Sequence, residues 1–444
     1  MAEKYLIISP RDFVDSIRPT IKQKRSRGFD VVVKHVEDFG TPPDPDTMRN
    51  YILGEKPEYL LLVGDHDRTP SYRINNYDSD NYLGMEDNDI IPRAKVGRFS
   101  SNDTTILGEI SRAIAAYPAD PSENWKRKVV LTGWCPRATR DQDADDAGWR
   151  CIEEIGNYFD LALEFQNGST SPATTPEQRR VWETEHNTVD TLIDEINTGA
   201  AIIRYLGHGN WDHWTNIGNN ENFRDTHVGR LNVGDRLPFV ISAACVTGDI
   251  QRNSVAEAWQ VQRKAVGVLA ADVTSDTWWN ERFAPRLFNQ IVSKRQRRVS
   301  DIIIEAMKAV HTDFSRDGTS KKHSHIYRYL GDPDTILAVP EDNGINECRE
   351  VVFPIIERRG QYYCSPQIID LGKNVRRAWA TISGIDGPGV LPLSSVVARA
   401  EPQGTKVKID VNVTLPQSSP RTGIPTLPPT ASKGKVFVTV FALL

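Results

Sequence analysis

The chain has 444 residues and a formal net charge of −5 at neutral pH, from 54 Lys and Arg against 59 Asp and Glu. This length exceeds what one hydrophobic core usually supports, so we expect two or three packed domains. The near balance of charges argues against a polyanion-binding surface, and therefore against a nucleic-acid partner. Because no run of about 20 apolar residues occurs, we also expect no membrane-spanning helix.

The N-terminus and the cysteines both predict a cytoplasmic protein, with secretion as the alternative. The apolar run Tyr5–Ile8 is too short to be the hydrophobic segment of a secretory signal. The cysteines form no CxxC pair and no Cys/His cluster at zinc spacing, which indicates reduced thiols. They are Cys135, Cys151, Cys245, Cys348 and Cys364.

From the N-terminus to about Asn343, short apolar runs alternate with amphipathic stretches, which is typical of βαβ units and a mainly parallel sheet. Continuous apolar strands favour burial on both faces. The predicted strands are Tyr5–Ile8, Asp30–Lys34, Tyr59–Val63, Ala94–Gly97, Lys128–Thr132, Ala200–Tyr205, Phe239–Ala243 and Val266–Ala270. The predicted helices are Pro10–Arg27, Thr47–Leu53, Thr104–Tyr117, Ala147–Phe159, Val189–Asn197, Ser254–Gln262, Glu281–Val292 and Val299–Val310.

The chain divides into three predicted domains. A polar, Pro-containing segment at Tyr117–Asn124 separates an α/β subdomain over residues 1–118 from a second over residues 119–343. After about Glu341 helical periodicity disappears and apolar runs alternate with Pro/Gly turns, which predicts an antiparallel, β-sandwich-like domain over residues 344–444. Its Pro-rich stretch Leu415–Pro429 is predicted as an exposed loop or linker.

Two strands of the second subdomain end in residues that are able to do chemistry. The first runs into Gly207-His208-Gly209, and the second delivers Cys245 with Gly248 in the following turn. In open α/β sheets, ligands bind at the carboxyl ends of the strands. If the two strands are parallel neighbours, both side chains face one crevice, and their separation leaves room for one crossover connection.

A thiol and an imidazole at one sheet edge suit acyl transfer. A nearby imidazole activates the thiol as a thiolate and then protonates the leaving amine. Because Gly209 has no Cβ, its N–H can approach a substrate carbonyl and form an oxyanion hole with the N–H of Cys245. The alternative is that Cys245 is a small buried residue and His208 a turn residue. The repeated placement at glycine-flanked strand ends favours a catalytic pair.

Seven segments resemble the gingipain family of cysteine peptidases, within the caspase-like clan. They cover roughly residues 1–340 and are Tyr59–Asp65, Asp78–Gly84, Val96–Ser100, Tyr205–Gly209, Ser242–Asp249, Ala256–Ala258 and Leu330–Pro333. The resemblance implies that His208 and Cys245 are a catalytic dyad. It also implies a caspase-like sheet in two α/β subdomains, followed by an immunoglobulin-like β domain.

The resemblance leaves the third catalytic member unassigned. In that family an acidic residue orients the histidine from the loop after the strand that matches Lys128–Thr132. At the corresponding position this chain has Cys135 and Pro136 instead.

The same resemblance points to a pocket for the P1 residue, the one that precedes the cleaved bond. Arginine-cleaving relatives use an Asp there, and this chain offers Asp146 first and Asp145 second. Such a carboxylate would select Arg or Lys by charge. The alternative is that both residues begin an exposed helix, where negative charge favours the helix dipole.

Tryptophans are expected to complete this pocket. Trp278 or Trp279, in the loop predicted after Val266–Ala270, falls where relatives line the pocket with an aromatic side chain. An indole can cover a guanidinium face, although packing at the surface is the alternative. His213 has no flanking glycines and is interpreted as a loop residue or substrate-side wall.

These observations favour a cysteine endopeptidase that cleaves after a basic residue and acts on proteins or peptides. The alternatives are a sortase-like transpeptidase of the same family and a non-catalytic module that binds a partner. No cofactor is expected to be required, although the Asp-rich stretches Asp78–Asp80 and Glu86–Asp89 make calcium a possible ligand. Activity is expected to be switched by a regulatory partner or by self-cleavage.

Overall fold

The computed structural model describes residues 2–117, 124–133, 188–218, 221–292, 294–314, 317–339, 347–358, 361–375, 377–386, 396–413 and 435–443. The chain forms two compact units, of which the second includes Asp342–Leu444. Both predicted domain boundaries, after residue 118 and after residue 343, lie outside the described residues. In the described part of the chain, no helix is long and apolar enough to cross a membrane.

The first unit is built around a central β-sheet with helices and short hairpins. Its described strands are β1 (Lys4–Ser9), β2 (Asp30–His35), β3 (Tyr59–Val63), β4 (Tyr72–Ile74), β5 (Tyr77–Ser79), β6 (Lys95–Phe99), β7 (Val129–Gly133), β8 (Ile202–Leu206), β9 (Gly209–Asn210), β10 (His213–Gly218), β11 (Glu221–Arg224), β12 (Phe239–Ala243), β13 (Gly267–Ala271) and β14 (Tyr327–Gly331). Its described helices are α1 (Arg18–Ser26), α2 (Pro45–Glu55), α3 (Thr104–Ala116), α4 (Val189–Asn197), α5 (Asp225–Val228), α6 (Val255–Val261), α7 (Thr277–Val292), α8 (Val299–Phe314) and α9 (Asp317–Ile326).

Nine strands form the central sheet in the order β2-β1-β3-β6-β14-β13-β12-β8-β7. All neighbours are parallel except β13 and β14, which are antiparallel. The sheet therefore consists of a first block, β2-β1-β3-β6-β14, and a second block, β13-β12-β8-β7. The predicted mainly parallel sheet is confirmed, and all eight predicted strands lie in it.

The ninth strand, β14, was missed by the sequence analysis. It comes late in the chain but pairs with β6, so that residues from both predicted α/β subdomains share one sheet. All five of its residues are buried, including the charged Arg328. Burial of an arginine cannot be anticipated from an apolar pattern, because it depends on partners far away in sequence.

Two predicted helices differ from the structure. The predicted helix Pro10–Arg27 is split into a short 3-10 turn at Arg11–Phe13 and α1, with Pro19 in the first turn of α1. Proline has no N–H and fits the first turn of a helix but not its interior. Helix α7 begins at Thr277 rather than Glu281, so the predicted loop before it is shorter. The predicted helix Ala147–Phe159 lies outside the described residues.

The second unit is an antiparallel β domain, as predicted. Its described strands are β15 (Glu347–Pro354), β16 (Ile356–Arg358), β17 (Gln361–Tyr363), β18 (Gln367–Asp370), β19 (Arg377–Asp386), β20 (Val396–Gln403), β21 (Lys406–Val413) and β22 (Lys435–Leu443). They form the sheets β15-β22-β19 and β18-β21-β20 and the hairpin β16-β17. Alternating residues such as Val407 and Ile409, or Val436 and Val438, are buried in one apolar core. The Pro-rich stretch Leu415–Pro429 lies outside the described residues.

Candidate active site

The predicted pair, His208 and Cys245, follows two neighbouring parallel strands. In the register of β8 and β12, Leu206 lies opposite Ala243. Each of the two candidate residues comes two positions after its strand partner, so both emerge at the same edge and level of the sheet. His208 is exposed and Cys245 is partly exposed. The two strands are parallel neighbours, which is the condition under which the sequence analysis expected both side chains to face one crevice.

The two strand-end turns also touch each other at Gly209. A Cβ built on Gly209 would lie 2.6 Å from Cγ2 of Thr247 and 3.0 Å from the carbonyl oxygen of Cys245. Real Cβ atoms essentially never approach another atom to 2.6 Å, so a larger residue at this position would require Thr247 to shift. The close packing brings the backbone that follows His208 against the turn that carries Cys245.

The backbone of His208 is held from the strand before it and the strand after it. The hydroxyl of Tyr205 lies 2.6 Å from the carbonyl oxygen of His208 and 2.8 Å from that of Thr215. The N–H of Thr215 donates to the same carbonyl of His208 at 2.9 Å. Behind this link, the ring of Tyr205 stacks on that of the fully buried Trp214, with 5.0 Å between centroids. These contacts fix the imidazole's attachment point while its ring remains at the surface.

The turn that carries Cys245 has an unusual backbone. Val246 has a φ of +66°, a conformation that a β-branched residue rarely adopts. Its N–H donates to the carbonyl of Val273 at 3.2 Å, and the N–H of Gly248 donates to the carbonyl of Ala271 at 2.9 Å. Such strained residues persist where the surroundings impose them, and they cluster at functional sites.

The sulfur of Cys245 lies against Ser275, a residue that the sequence analysis did not single out. The thiol faces the carbonyl oxygen of Ser275 at 3.5 Å, and the hydroxyl oxygen of Ser275 is 3.9 Å from the sulfur. Ser275 follows β13, which is next to β12 in the sheet. A polar loop residue 30 positions away carries no sequence signal of this contact, which arises from the tertiary fold.

A buried histidine supports the loop of Ser275. The N–H of Asp276 donates to Nε2 of His323 at 2.8 Å, and Nδ1 of His323 lies 2.7 Å from the carbonyl oxygen of Thr319. Nδ1 therefore carries the hydrogen and the ring is neutral. Burial lowers the pKa of His323 to about 4, in agreement with this tautomer. The loop is thus anchored by a group that does not ionise near neutral pH.

A buried network of charges joins the two blocks of the sheet behind this turn. Arg98 and Arg328 both bind the carboxylate of Asp80, at 2.7–2.9 Å. Arg328 also binds Asp272 and donates to the carbonyl oxygen of Gly248, each at 2.8 Å. Although burial alone would raise it, the two guanidinium groups hold the pKa of Asp80 well below its usual value. The network ties the Cys245 turn, through Gly248, to the first block.

Of the predicted pocket residues, the structure describes the two tryptophans. Asp145 and Asp146 lie outside the described residues. Trp279 is fully buried and stacks on His323 with 4.6 Å between centroids, so it is a core residue and not a pocket wall. Both tryptophans lie in the first turn of α7 rather than in a loop. Trp279 precedes Phe283 by four positions, a helical spacing that could have indicated a core position.

Trp278 is partly exposed and already packs against a cation. The guanidinium of Arg282 lies 4.4 Å from the centre of its ring, and Phe314 meets the ring edge-on. His213, predicted in a loop, instead lies in β10, with Nδ1 2.6 Å from a carboxylate oxygen of Asp212.

In the stretches considered as calcium ligands, the carboxylates form ion pairs with arginines. Side chains of Asp78–Asp80 and Glu86–Asp89 pair with Arg98, Arg49 and Arg93, among others. Within the described ranges, no group of three or more His, Cys, Asp or Glu side chains is arranged to hold a metal ion. The calcium hypothesis therefore rests on no described site.

The fold is that of solved gingipain structures. The crystal structure of the Arg-specific cysteine proteinase gingipain R (RgpB) matches with a TM-score of 0.64 and 19% identity, over 93% of this chain and 92% of that one. The complex of the Porphyromonas gingivalis RgpB pro- and mature domains matches with a TM-score of 0.62 and 20% identity, over 93% and 94% of the two chains. Identities this low establish a shared fold only.

Sequence comparison gives the family. Gingipain R2 of Porphyromonas gingivalis is 24% identical over 360 residues, which are 75% of this chain and 46% of that protein. Gingipain R1 of the same organism is 23% identical over 360 residues, 34% of its length, so the chain spans less than half of these relatives. The model of Peptidase family C25 matches residues 2–338. The chain therefore belongs to Peptidase family C25.

Proposed function

We propose that this protein hydrolyses peptide bonds through a dyad of Cys245 and His208, after an Arg or Lys at P1. The observation that carries the proposal is the register of β8 and β12, which delivers both residues to one level of one sheet edge. A thiol and an imidazole so placed are the two groups that thioester chemistry requires.

In the proposed cycle, His208 takes the thiol proton of Cys245 and the sulfur attacks the substrate carbonyl carbon. The oxyanion that forms accepts hydrogen bonds from the N–H groups of Cys245 and Gly209. Among the described residues, no acceptor takes a hydrogen bond from the N–H of Cys245, which leaves it available for this role. The protonated imidazole then gives its proton to the leaving amine, and water hydrolyses the thioester.

Specificity for a basic P1 residue is supported by a structural relative, the Arg-specific cysteine proteinase gingipain R. Trp278 remains the proposed aromatic wall of the pocket, because its ring is partly exposed. An indole can bind the guanidinium of a substrate arginine by cation–π attraction. Asp146, then Asp145, remain the proposed carboxylates for its charge.

The test compares Cys245→Ala with wild type on reporter peptides that carry Arg, Lys, Ala or Glu at P1. We expect the wild type to cleave the Arg and Lys peptides, and the variant to lose at least roughly a thousandfold in kcat/KM. Cys364→Ala, which removes the buried free thiol of the second unit, is the matched control and should retain activity. Cleavage by Cys245→Ala at the wild-type rate would refute the dyad.

Regulation by a protein partner is part of this proposal. A solved structure with this fold is a complex of pro- and mature domains. The uncleaved, freshly purified chain is therefore expected to gain activity on self-cleavage or on addition of a partner, and constant activity would contradict this. For the location of the protein, secretion is the alternative to the cytoplasm.

A further inference from the structure

We propose that Ser275 is a further catalytic residue, whose hydroxyl donates a hydrogen bond to the thiolate of Cys245. This inference rests on the proposed function and adds a group to the same site. Ser275 touches the sulfur with two different atoms, a carbonyl oxygen at 3.5 Å and a hydroxyl oxygen at 3.9 Å. One atom can only accept a hydrogen bond, whereas the other can donate one.

The surroundings of Ser275 orient its hydroxyl. Tyr327 donates to Oδ1 of Asn280 at 2.6 Å, which fixes the amide so that Nδ2 faces Ser275. Nδ2 then donates to the hydroxyl oxygen of Ser275 at 2.9 Å. All three side chains are buried. Because the serine oxygen accepts from Asn280, the serine's own hydrogen must find an acceptor elsewhere.

Two acceptors compete for that hydrogen. One is the sulfur of Cys245, and the other is the hydroxyl oxygen of Tyr327, which also interacts with Ser275. Hydrogen bonds to an ionised acceptor are roughly twice as strong as those between neutral groups. The neutral tyrosine therefore competes well against a thiol but poorly against a thiolate.

Ser275 would accordingly change its role during the reaction. In the resting thiol, the S–H of Cys245 donates to the carbonyl oxygen of Ser275. When the proton passes to His208, the sulfur keeps the bonding electrons, becomes negative and loses this hydrogen bond. The hydroxyl of Ser275 then donates to the thiolate, which lowers the free energy of the thiolate–imidazolium pair. The anchor between Asp276 and His323 holds the loop in place for this exchange.

The test measures the rate of iodoacetamide alkylation at Cys245 against pH, read by peptide mass spectrometry because the chain has other thiols. In Ser275→Ala, the midpoint of the rate curve should move about one unit to higher pH, which is tenfold less thiolate below the midpoint. The matched pair of variants is Ser275→Thr and Ser275→Val. Threonine and valine have side chains of the same shape, but only threonine has a hydroxyl. We expect the Thr variant to keep the wild-type midpoint, and the midpoint of the Val variant to move to higher pH as in Ser275→Ala.

A purely structural role predicts other outcomes. If the hydroxyl serves only to link Ser275 with Tyr327, then Ser275→Ala and Tyr327→Phe both lower Tm and neither moves the midpoint. That result, or equal midpoints for the Thr and Val variants, would overturn the inference. Alkylation reads the sulfur directly and needs no peptide cleavage. The proposed function is judged separately, by the loss of hydrolysis in Cys245→Ala.

Discussion

The buried Arg98–Arg328 network and the strand ends that carry His208 and Cys245 use polar side chains in opposite ways. In the first block, Arg98 and Arg328 are buried, and the carboxylates of Asp80 and Asp272 balance their two charges. In the second block, the strand ends present His208 and Cys245 toward solvent. Polar groups that are paired and buried hold the two blocks together, whereas polar groups that keep access to solvent are available for chemistry. The comparison indicates that reactive residues are better sought by exposure at strand ends than by polarity alone.

The largest effect that tests this comparison is expected from Arg328→Met. The substitution leaves Asp80 and Asp272 buried without one of their cations, so the free energy of unfolding should fall by about 3–5 kcal/mol. Urea denaturation measures it. The control is Arg93→Met, which breaks the surface pairs with Glu86 and Asp89 and should cost no more than about 1 kcal/mol. Equal losses would mean that burial does not distinguish the two kinds of pair.

The second prediction concerns His323, the neutral histidine that supports the loop after β13. Since the pKa of His323 is lowered to about 4, the unfolded chain binds more protons than the folded one between pH 4 and pH 6.5. Its contribution to stability is therefore complete above pH 6.5 and is lost as the pH falls, up to about 3 kcal/mol. His323→Gln keeps an acceptor for the N–H of Asp276 but cannot titrate.

The measurement is the free energy of unfolding against pH for wild type and His323→Gln. His325 has a pKa lowered in the same direction, so the difference between the two curves isolates His323. A difference that stays constant from pH 4 to pH 6.5 would show that His323 does not titrate on folding.

The third prediction concerns Glu257 of α6, which binds Ser100 just after β6. Its contribution to stability is expected to change with pH in the opposite direction to that of His323. Burial raises the pKa of Glu257 to about 7, against the hydrogen bond from Ser100 that favours its charged form. The folded chain then binds more protons between pH 4.5 and pH 7, so this contribution is complete below pH 4.5 and is lost as the pH rises, by at most about 3 kcal/mol. Glu257→Gln should remove that slope and leave a constant offset from the hydrogen bonds it alters. Parallel curves for wild type and variant would contradict the prediction.

The sequence predicted those parts of the molecule whose cause is local. Eight strands of the central sheet were recognised because short apolar runs are typical of strands that are buried on both faces of a sheet. The placement of His208 and Cys245 followed from two strand ends and their glycines. The β14 strand was missed because Arg328 interrupts its apolar pattern. That charge is tolerated only because Asp80 and Asp272 arrive from distant segments.

Contacts made by tertiary structure were not predictable in the same way. Nothing in the sequence places Ser275 beside Cys245, because the contact depends on β13 lying next to β12. Trp279 was assigned to a pocket from the resemblance alone, whereas its position in the first turn of α7 places its side chain in the core. When a residue is assigned to a site from its position in the chain, the face of the helix on which it lies should therefore be considered as well.

The smallest predicted effect sharpens the comparison at the second block itself. Tyr205→Phe removes the hydroxyl that contacts the carbonyl oxygens of His208 and Thr215, and it leaves the ring stacked on Trp214. The free energy of unfolding should fall by only about 1 kcal/mol, since the N–H of Thr215 still donates to His208. On a reporter peptide, kcat should fall severalfold with KM unchanged, because the imidazole loses its fixed attachment while substrate contacts persist.

The matched control is Tyr72→Phe, which removes an exposed hydroxyl bond to Asp46 away from the site and should leave kcat unchanged. If the two variants had the same kcat, the hydroxyl of Tyr205 would serve the core alone. The positioning of His208 would then rest on the β9–β10 hairpin, in which Gly209 pairs with Trp214, and the backbone rather than a side chain would orient the imidazole.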